Sequence, residues 1–208
     1  MKLYHGTAAT LLGVIRERGI DPRGEESGNW PGLPSRDGYT YLTAANPLPY
    51  AYRATAAGGS VGLVLEIDGS QLESSTLRPD EDYLGQLAII GQTADRAELL
   101  DRTRRADPSE QRDLWRDSLS RIGTVAVEGA VPSSTIIRYA LVDFSKLRAE
   151  GGLYLDLRLI SPLEGSVHIE RYREQEAIVR EILSALLGGT SSPYWPFPPG
   201  LGVEVRDW

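Results

Sequence analysis

Three short apolar runs carry the residues best suited to chemistry. Leu3-Tyr4-His5-Gly6-Thr7 holds one of only two histidines in 208 residues. Tyr39-Thr40-Tyr41-Leu42-Thr43 sets two phenols on a β-branched stretch, and Val125-Ala126-Val127-Glu128-Gly129 puts one carboxylate inside an apolar strand. An imidazole is a donor, acceptor or base near neutral pH. A carboxylate held in apolar surroundings can stabilise positive charge that develops during a reaction. Each has an ordinary use as well. A strand-end histidine packs in a core, tyrosines pack on a strand and the next helix, and Glu128 can be an outward-facing edge residue. Glu128 argues hardest for a role, because a buried carboxylate without a partner is costly.

Other chemistries find no residues to carry them. There are no cysteines, and the two histidines lie far apart, so neither a disulfide frame nor a zinc site is expected. The Gly-x-Ser-x-Gly elbow, the Walker loop and the Gly-x-Gly-x-x-Gly fingerprint are all absent. Asp80-Glu81-Asp82 reads as a solvated helix start rather than a metal site. A formal net charge of −7 argues against a dedicated duplex-DNA binder. Hydrophobic and charged contents of 41% and 25% are those of a soluble globular chain. With no signal-peptide pattern and no membrane-spanning run, the cytoplasm is the default location.

The elements that must position these residues follow from pattern. Lys2 to His5 reads as a strand. Thr7 or Thr10 can cap the helix that follows, whose apolar face is Leu11, Leu12, Val14 and Ile15. Gly19 and Asp21-Pro22 end it. Residues 23–38, with Trp30 among glycine, proline and serine, read as a long functional loop. Tyr39 to Ala44 is a strand, and Asn46-Pro47 opens a short helix carrying Tyr50 and Tyr52. Val61, Leu63, Leu65 and Ile67 alternate with Gly62, Val64 and Glu66 in the clearest strand, expected to be covered on both sides. Asp80 caps a helix. Gln92 to Arg121 reads as a charged, solvated helical insertion divided at Pro108. Residues 123–131 and 136–144 are strands, with a further strand over 153–160. An amphipathic helix spans 169–187, and the proline- and aromatic-rich tail is expected to pack over the body as a strap.

In this order the motifs resemble those of the NAD-dependent ADP-ribosyltransferase fold, and most closely its His-Tyr-Glu branch, the diphtheria toxin and poly-ADP-ribose polymerase side. His5-Gly6-Thr7 resembles the His-Gly-Ser/Thr that ends the first strand of that branch. Tyr41 and Thr43 resemble its Tyr followed two residues on by Ser or Thr. Tyr52 falls where the second tyrosine stands on the next helix, and Glu128 matches the catalytic glutamate of a late strand. The likeness covers roughly residues 1 to 145. It has no counterpart for the helices of 92–121 or for the chain beyond Ile160.

The resemblance implies an α/β (α+β) fold with two small, mostly antiparallel sheets, flanking helices, a helical insertion and a C-terminal helix. Residues 1–160 would be the ADP-ribosyltransferase-like domain, and 161–208 a C-terminal helix and tail on the same body. It implies NAD as substrate, with nicotinamide released. Tyr41 and Tyr52 would sandwich the nicotinamide, and His5 would bond the adenosine-side ribose. Gly6 would clamp the carboxamide, with Thr7 and Thr43 supporting the pocket and Trp30 lying over the bound NAD. Glu128 would stabilise an oxocarbenium-like ribose, as in glycoside hydrolysis. Ala126, two before Glu128, departs from the Glu or Gln of the arginine-modifying toxins. The acceptor could be a protein, a nucleic acid, a small molecule or water, and no membrane partner is implied. The sequence does not give the oligomeric state. Three other readings stay open: an inactive nucleotide- or partner-binding domain of this fold, an NAD-dependent RNA 2′-phosphotransferase using Arg102, Arg104 and Arg105, and an unrelated interaction protein.

Overall fold

A computed structural model describes residues 1–22, 36–44, 47–55, 59–87, 96–145 and 203–208. The first apolar run is strand β1, Lys2–Ala8. It is longer than expected, and Thr7 does not cap the next helix. Thr7 lies in the ladder opposite Leu63 and is buried. A 3-10 turn, Ala9–Leu11, takes up Thr10 and leads into helix α1, Leu12–Arg18, which has no side-chain N-cap. Gly19 closes α1 by donating its N–H to the Ile15 carbonyl at 2.8 Å. Strand β2 is Tyr39–Thr43, helix α2 Leu48–Thr55 and strand β3 Val61–Asp68. Then come strand β4, Leu77–Arg78, and helices α3, Glu81–Leu87, α4, Arg96–Arg105, and α5, Trp115–Arg121. Strands β5, Thr124–Glu128, β6, Ile136–Asp143, and β7, Val203–Asp207, complete the described chain.

The strands join in the order β4-β5-β2-β1-β3-β6-β7, every pair antiparallel. The ladder is uneven. β1 pairs with β3 over seven residues and β2 with β5 over five, but β1 meets β2 only at Tyr4↔Thr43. That seam divides the sheet into β4-β5-β2 and β1-β3-β6-β7. The α+β, antiparallel class is as expected, but in place of the two small sheets implied by the resemblance the described strands form one seven-stranded sheet with a one-pair seam.

Register decides which residues share a face, since side chains alternate along each strand. One face buries Leu3, Leu42, Leu63, Leu65, Ile67, Val125 and Val127, with Ile15 of α1 packed against them. The opposite face carries Tyr4, Gly6, Tyr41 and Thr43, and α2 lies on its β1–β3 half. A Cβ on Gly6 would stand 2.7 Å from the Ala51 nitrogen and closer still to the Pro47 carbonyl. One on Gly62 would meet Ala51 Cβ at 3.1 Å. Two glycines on neighbouring strands therefore set how close α2 can come. Gly6→Ala is expected to cost about 1–3 kcal/mol, because the obstacle is backbone and cannot rotate away. Urea denaturation of the variant against the wild type measures it.

Strand β3 is covered on both faces, as its pattern predicts. Glu66, 1% exposed, is held by Lys2 Nζ at 2.8 Å and Arg138 Nε at 2.8 Å. A buried carboxylate with two cationic partners is satisfied rather than available for chemistry.

The helices between β4 and β5 are less solvated than their charge suggested. Tyr83, Leu84 and Ile122 form a second small core with Ala106 and Leu114 packed on it. Thr103 and Ser118 are buried. Gly85 faces the α4 backbone, where a Cβ would meet Thr103 Cα at 3.0 Å. On α4 the charges mark the outer face, where Arg102 pairs with Glu98 at 2.8 Å and Arg105 pairs with Asp101.

The expected strand at 153–160, the helix at 169–187 and most of the aromatic tail lie outside the described residues. The chain's last stretch, β7, adds to the sheet beside β6, and Trp208 meets Tyr139 edge-to-face at 5.9 Å. The Arg16 guanidinium stands 5.4 Å from the Tyr139 ring centre and 5.5 Å from that of Trp208.

Candidate active site

Across the seam between β1 and β2 His5 meets Tyr41, although alternation sets His5 and Thr7 on the face of Leu3 and Leu65 and Tyr41 and Thr43 on the opposite one. Past Tyr4↔Thr43 the backbone ladder stops, and a side chain bridges the gap: His5 Nδ1 lies 2.9 Å from the Tyr41 carbonyl oxygen. A carbonyl only accepts, so Nδ1 carries a proton in this contact.

Register brings three of the predicted groups to one side of the sheet. Tyr4 pairs with Thr43, and Gly6, two residues on from Tyr4, packs against α2. Tyr41 and Thr43 therefore point to the side on which α2, the helix of Tyr52, lies. Tyr39 pairs with Glu128 and Tyr41 with Ala126, so Glu128 shares that side, about 7 Å along the strand from the row of Tyr41. Burial first, then the Glu128 charge, raises the Tyr39 phenol above its ordinary value. Tyr52 stacks edge-to-face on Phe144 at 5.3 Å. Thr43 donates its hydroxyl to the Gly123 carbonyl at 2.9 Å, tying β2 to the start of β5. Trp30 lies outside the described residues.

Glu128 sits in neither of the two settings considered from sequence. Its side chain is 50% exposed, yet it is ion-paired with Arg78, whose side chain is only 3% exposed. Arg78 also donates to the carbonyls of Ser75 at 2.6 Å and Leu77 at 2.8 Å. Strand β4 covers the flank of β5, so Glu128 is the end of an inner strand rather than an edge residue. Gly129 follows at a φ of +88°, which favours glycine, and donates its N–H to the Gly38 carbonyl at 2.7 Å. The chain turns directly after the carboxylate.

The sequence reading missed the partners of Tyr41. The Tyr41 hydroxyl lies 2.8 Å from each carboxylate oxygen of Glu81, and accepts the Arg36 backbone N–H at 3.0 Å. The Arg36 guanidinium donates to the Arg104 carbonyl at 2.9 Å and to that of Ala106, satisfying the C-terminal end of α4. Asp80 caps α3, accepting the Asp82 N–H at 2.9 Å, and its own N–H reaches Ser118 Oγ at 3.1 Å. The acidic run is therefore not a solvated helix start. Asp80 and Glu81 are buried, and α3 turns the run inward against β2. Burial first, then the Asp80 charge, pushes Glu81 up to about 7. Asp80 and Asp82 are also raised, chiefly by burial. Burial, followed by the charges of Glu81 and Asp80, raises the Tyr41 phenol, so it stays protonated and donates to the carboxylate. Among the described residues no group of acids and histidines is arranged to hold a metal.

No family model matches the chain, and no curated protein matches it. Among solved structures it is similar to an E. coli heat-labile enterotoxin mutant, at 16% identity over 68% of this chain and 69% of that one, with a TM-score of 0.36. It is similar to EcPltA at 12% identity, over 68% and 75% of the two chains, with a TM-score of 0.39. Nicked CARDS toxin shares 14% identity over 68% of this chain and 25% of that one, with a TM-score of 0.33. At these scores the likeness bears on neither activity nor site residues.

Proposed function

We infer that the protein is an NAD-dependent ADP-ribosyltransferase, cleaving the nicotinamide–ribose bond and passing ADP-ribose to an acceptor. The observation that carries this reading is the convergence at the seam. Tyr41, the helix of Tyr52 and Glu128 share one side of the sheet, and His5, whose register places it on the other side, bonds the Tyr41 main-chain carbonyl across the gap between the halves.

In this reading the nicotinamide ring rests on Tyr41 and Tyr52, each cation–π contact worth about 0.5–2 kcal/mol. His5, held to the Tyr41 carbonyl through Nδ1, bonds the adenosine-side ribose. Gly6 and Thr7 bring backbone groups to the carboxamide, and Thr43 fixes the β2–β5 junction behind Tyr41. Trp30 would cover the nucleotide. As the glycosidic bond lengthens, positive charge develops on the ribose, and Glu128 stabilises it. Its pairing with Arg78 orients the carboxylate and also tempers its charge. The acceptor's chemical class, protein, nucleic acid or small molecule, is open to experiment.

The test is NAD consumption with nicotinamide release by the wild type and by His5→Ala. Removing one substrate hydrogen bond is expected to lower kcat/KM by about tenfold or more. A wild type that neither consumes nor binds NAD would end this reading. One observation favours a second reading, a non-catalytic nucleotide- or partner-binding domain: the Glu128 carboxylate is half exposed and already neutralised by Arg78. NAD binding without turnover, unchanged in Glu128→Gln, would select it. The arginines of α4 lend less to RNA 2′-phosphate chemistry, since Arg102 and Arg105 are paired with acids one turn away.

A further inference from the structure

Glu81 stands out among the buried titratable groups that the proposed reaction does not use. It is 8% exposed, and both of its carboxylate oxygens face one atom, the Tyr41 hydroxyl. A structural carboxylate of this burial would be expected to meet a cation, as Glu66 does with Lys2 and Arg138. The Arg36 guanidinium is nearby but is spent on the α4 carbonyls, and it is the Arg36 backbone N–H that reaches the Tyr41 oxygen. The phenol is thus held from two sides, by an acceptor on α3 and a donor just ahead of β2. Bonds from both sides at the far end of the side chain fix where the outer edge of the ring lies.

We propose that Glu81 is a positioning residue for the reaction at the seam: by gripping the Tyr41 hydroxyl with both carboxylate oxygens, it fixes the position of the ring against which nicotinamide packs. The proposal rests on the NAD reading for the identity of the ligand. It adds that the helices of 92–121, which have no counterpart in the resemblance, help form the site. They hold Glu81 through the Asp80–Ser118 contact and the Ser118 hydroxyl's 2.8 Å bond to the Thr124 carbonyl. The function follows from geometry. A ring free to shift loses stacking on a flat cation, and that loss is felt in binding and in the transition state alike.

The experiment is steady-state NAD kinetics and equilibrium nicotinamide binding on the wild type, Glu81→Ala, Glu81→Gln, Tyr41→Phe and the Glu81→Ala/Tyr41→Phe double variant. Folding is checked by circular dichroism. Glu81→Ala is expected to lower kcat/KM by about tenfold, mostly through a higher KM, with a matching loss of nicotinamide affinity. Glu81→Gln, whose amide can both accept from and donate to the phenol, restores most of it. In the Tyr41→Phe background, Glu81→Ala adds little further loss, because its partner atom is gone. Losses that multiply in the double variant would overturn the proposal, as would an active Glu81→Ala with wild-type KM. A wild type that neither binds nor consumes NAD would remove the NAD reading and this proposal with it, an outcome distinct from an active enzyme indifferent to Glu81. Should Glu81→Ala fail to fold, Glu81→Gln against Tyr41→Phe still decides: a Gln variant as impaired as the Phe variant would sink the positioning role.

Discussion

Glu128→Gln is expected to lower NAD turnover by about a hundred- to thousandfold, the effect of removing a preorganised charge worth about 3–4 kcal/mol in the transition state. Glutamine is the informative substitution because of Arg78. That guanidinium is buried in the short β4 strand, with the Ser75 and Leu77 carbonyls and Glu128 as its partners. Deleting the whole side chain would leave a buried cation short of an acceptor, and activity would then fall for structural reasons. A glutamine carbonyl can still accept from Arg78 while the negative charge is gone. Since the Glu128 carboxylate is half exposed, solvent screens the pair, and the stability cost of the neutral variant should be no more than about 1 kcal/mol. The two quantities separate the roles. A large loss in kcat with a small loss in urea stability assigns Glu128 to the reaction. A small loss in both leaves it as the counter-charge of Arg78 and strengthens the non-catalytic reading.

What the sequence made legible was period and punctuation. β3 announced itself through strict alternation and is covered on both faces. β2, β5 and β6 fall within the stretches that β-branched and aromatic residues marked out. The seam was not legible, because it depends on how many residues two distant strands pair, and alternation says nothing of partners. The start of α1 was misplaced for a local reason. Thr7 has the chemistry of a cap, but the pairing of β1 with β3 extends the strand through Ala8 and overrides it. Asp80-Glu81-Asp82 was misread for a general one. Three acids in a row look solvated unless the other wall is known, and here that wall is Tyr41, about forty residues earlier. The apolar Tyr83 and Leu84 directly after the run were the available signal, since they turn α3 inward. Arg78 gave no signal at all, because a two-residue strand has no period to read.

Glu81→Gln is expected to reverse part of the pH dependence of folding stability. Glu81 rises from 4.5 to about 7 in the folded protein, through burial and the Asp80 charge, with Tyr41 and Arg36 pulling the other way. A carboxyl raised on folding binds its proton more tightly in the native state than in the unfolded chain. Its stabilising contribution is therefore complete below about 4.5 and is lost as pH rises through about 7. Asp80 and Asp82, raised beside it, act in the same direction. Asp68 and Asp107 are lowered instead, and their contributions fade only at more acid pH. The wild type should thus lose stability between pH 5 and pH 8. A neutral glutamine at 81 removes one ionisation from the buried run and relieves its repulsion on Asp80. Relative to the wild type, the variant should gain on the order of 1–3 kcal/mol between pH 5 and pH 8, less than the full shift because the charge-assisted bond to Tyr41 is lost as well. Urea titrations of both proteins at the two pH values measure the difference directly. A difference that stays flat with pH would mean that Glu81 is ionised throughout the range, and that Tyr41 meets a full carboxylate at every pH at which turnover is assayed. A difference that grows as expected would mean that Glu81 takes up a proton near neutrality, so that KM for NAD and the stability of α3 should change over the same pH interval.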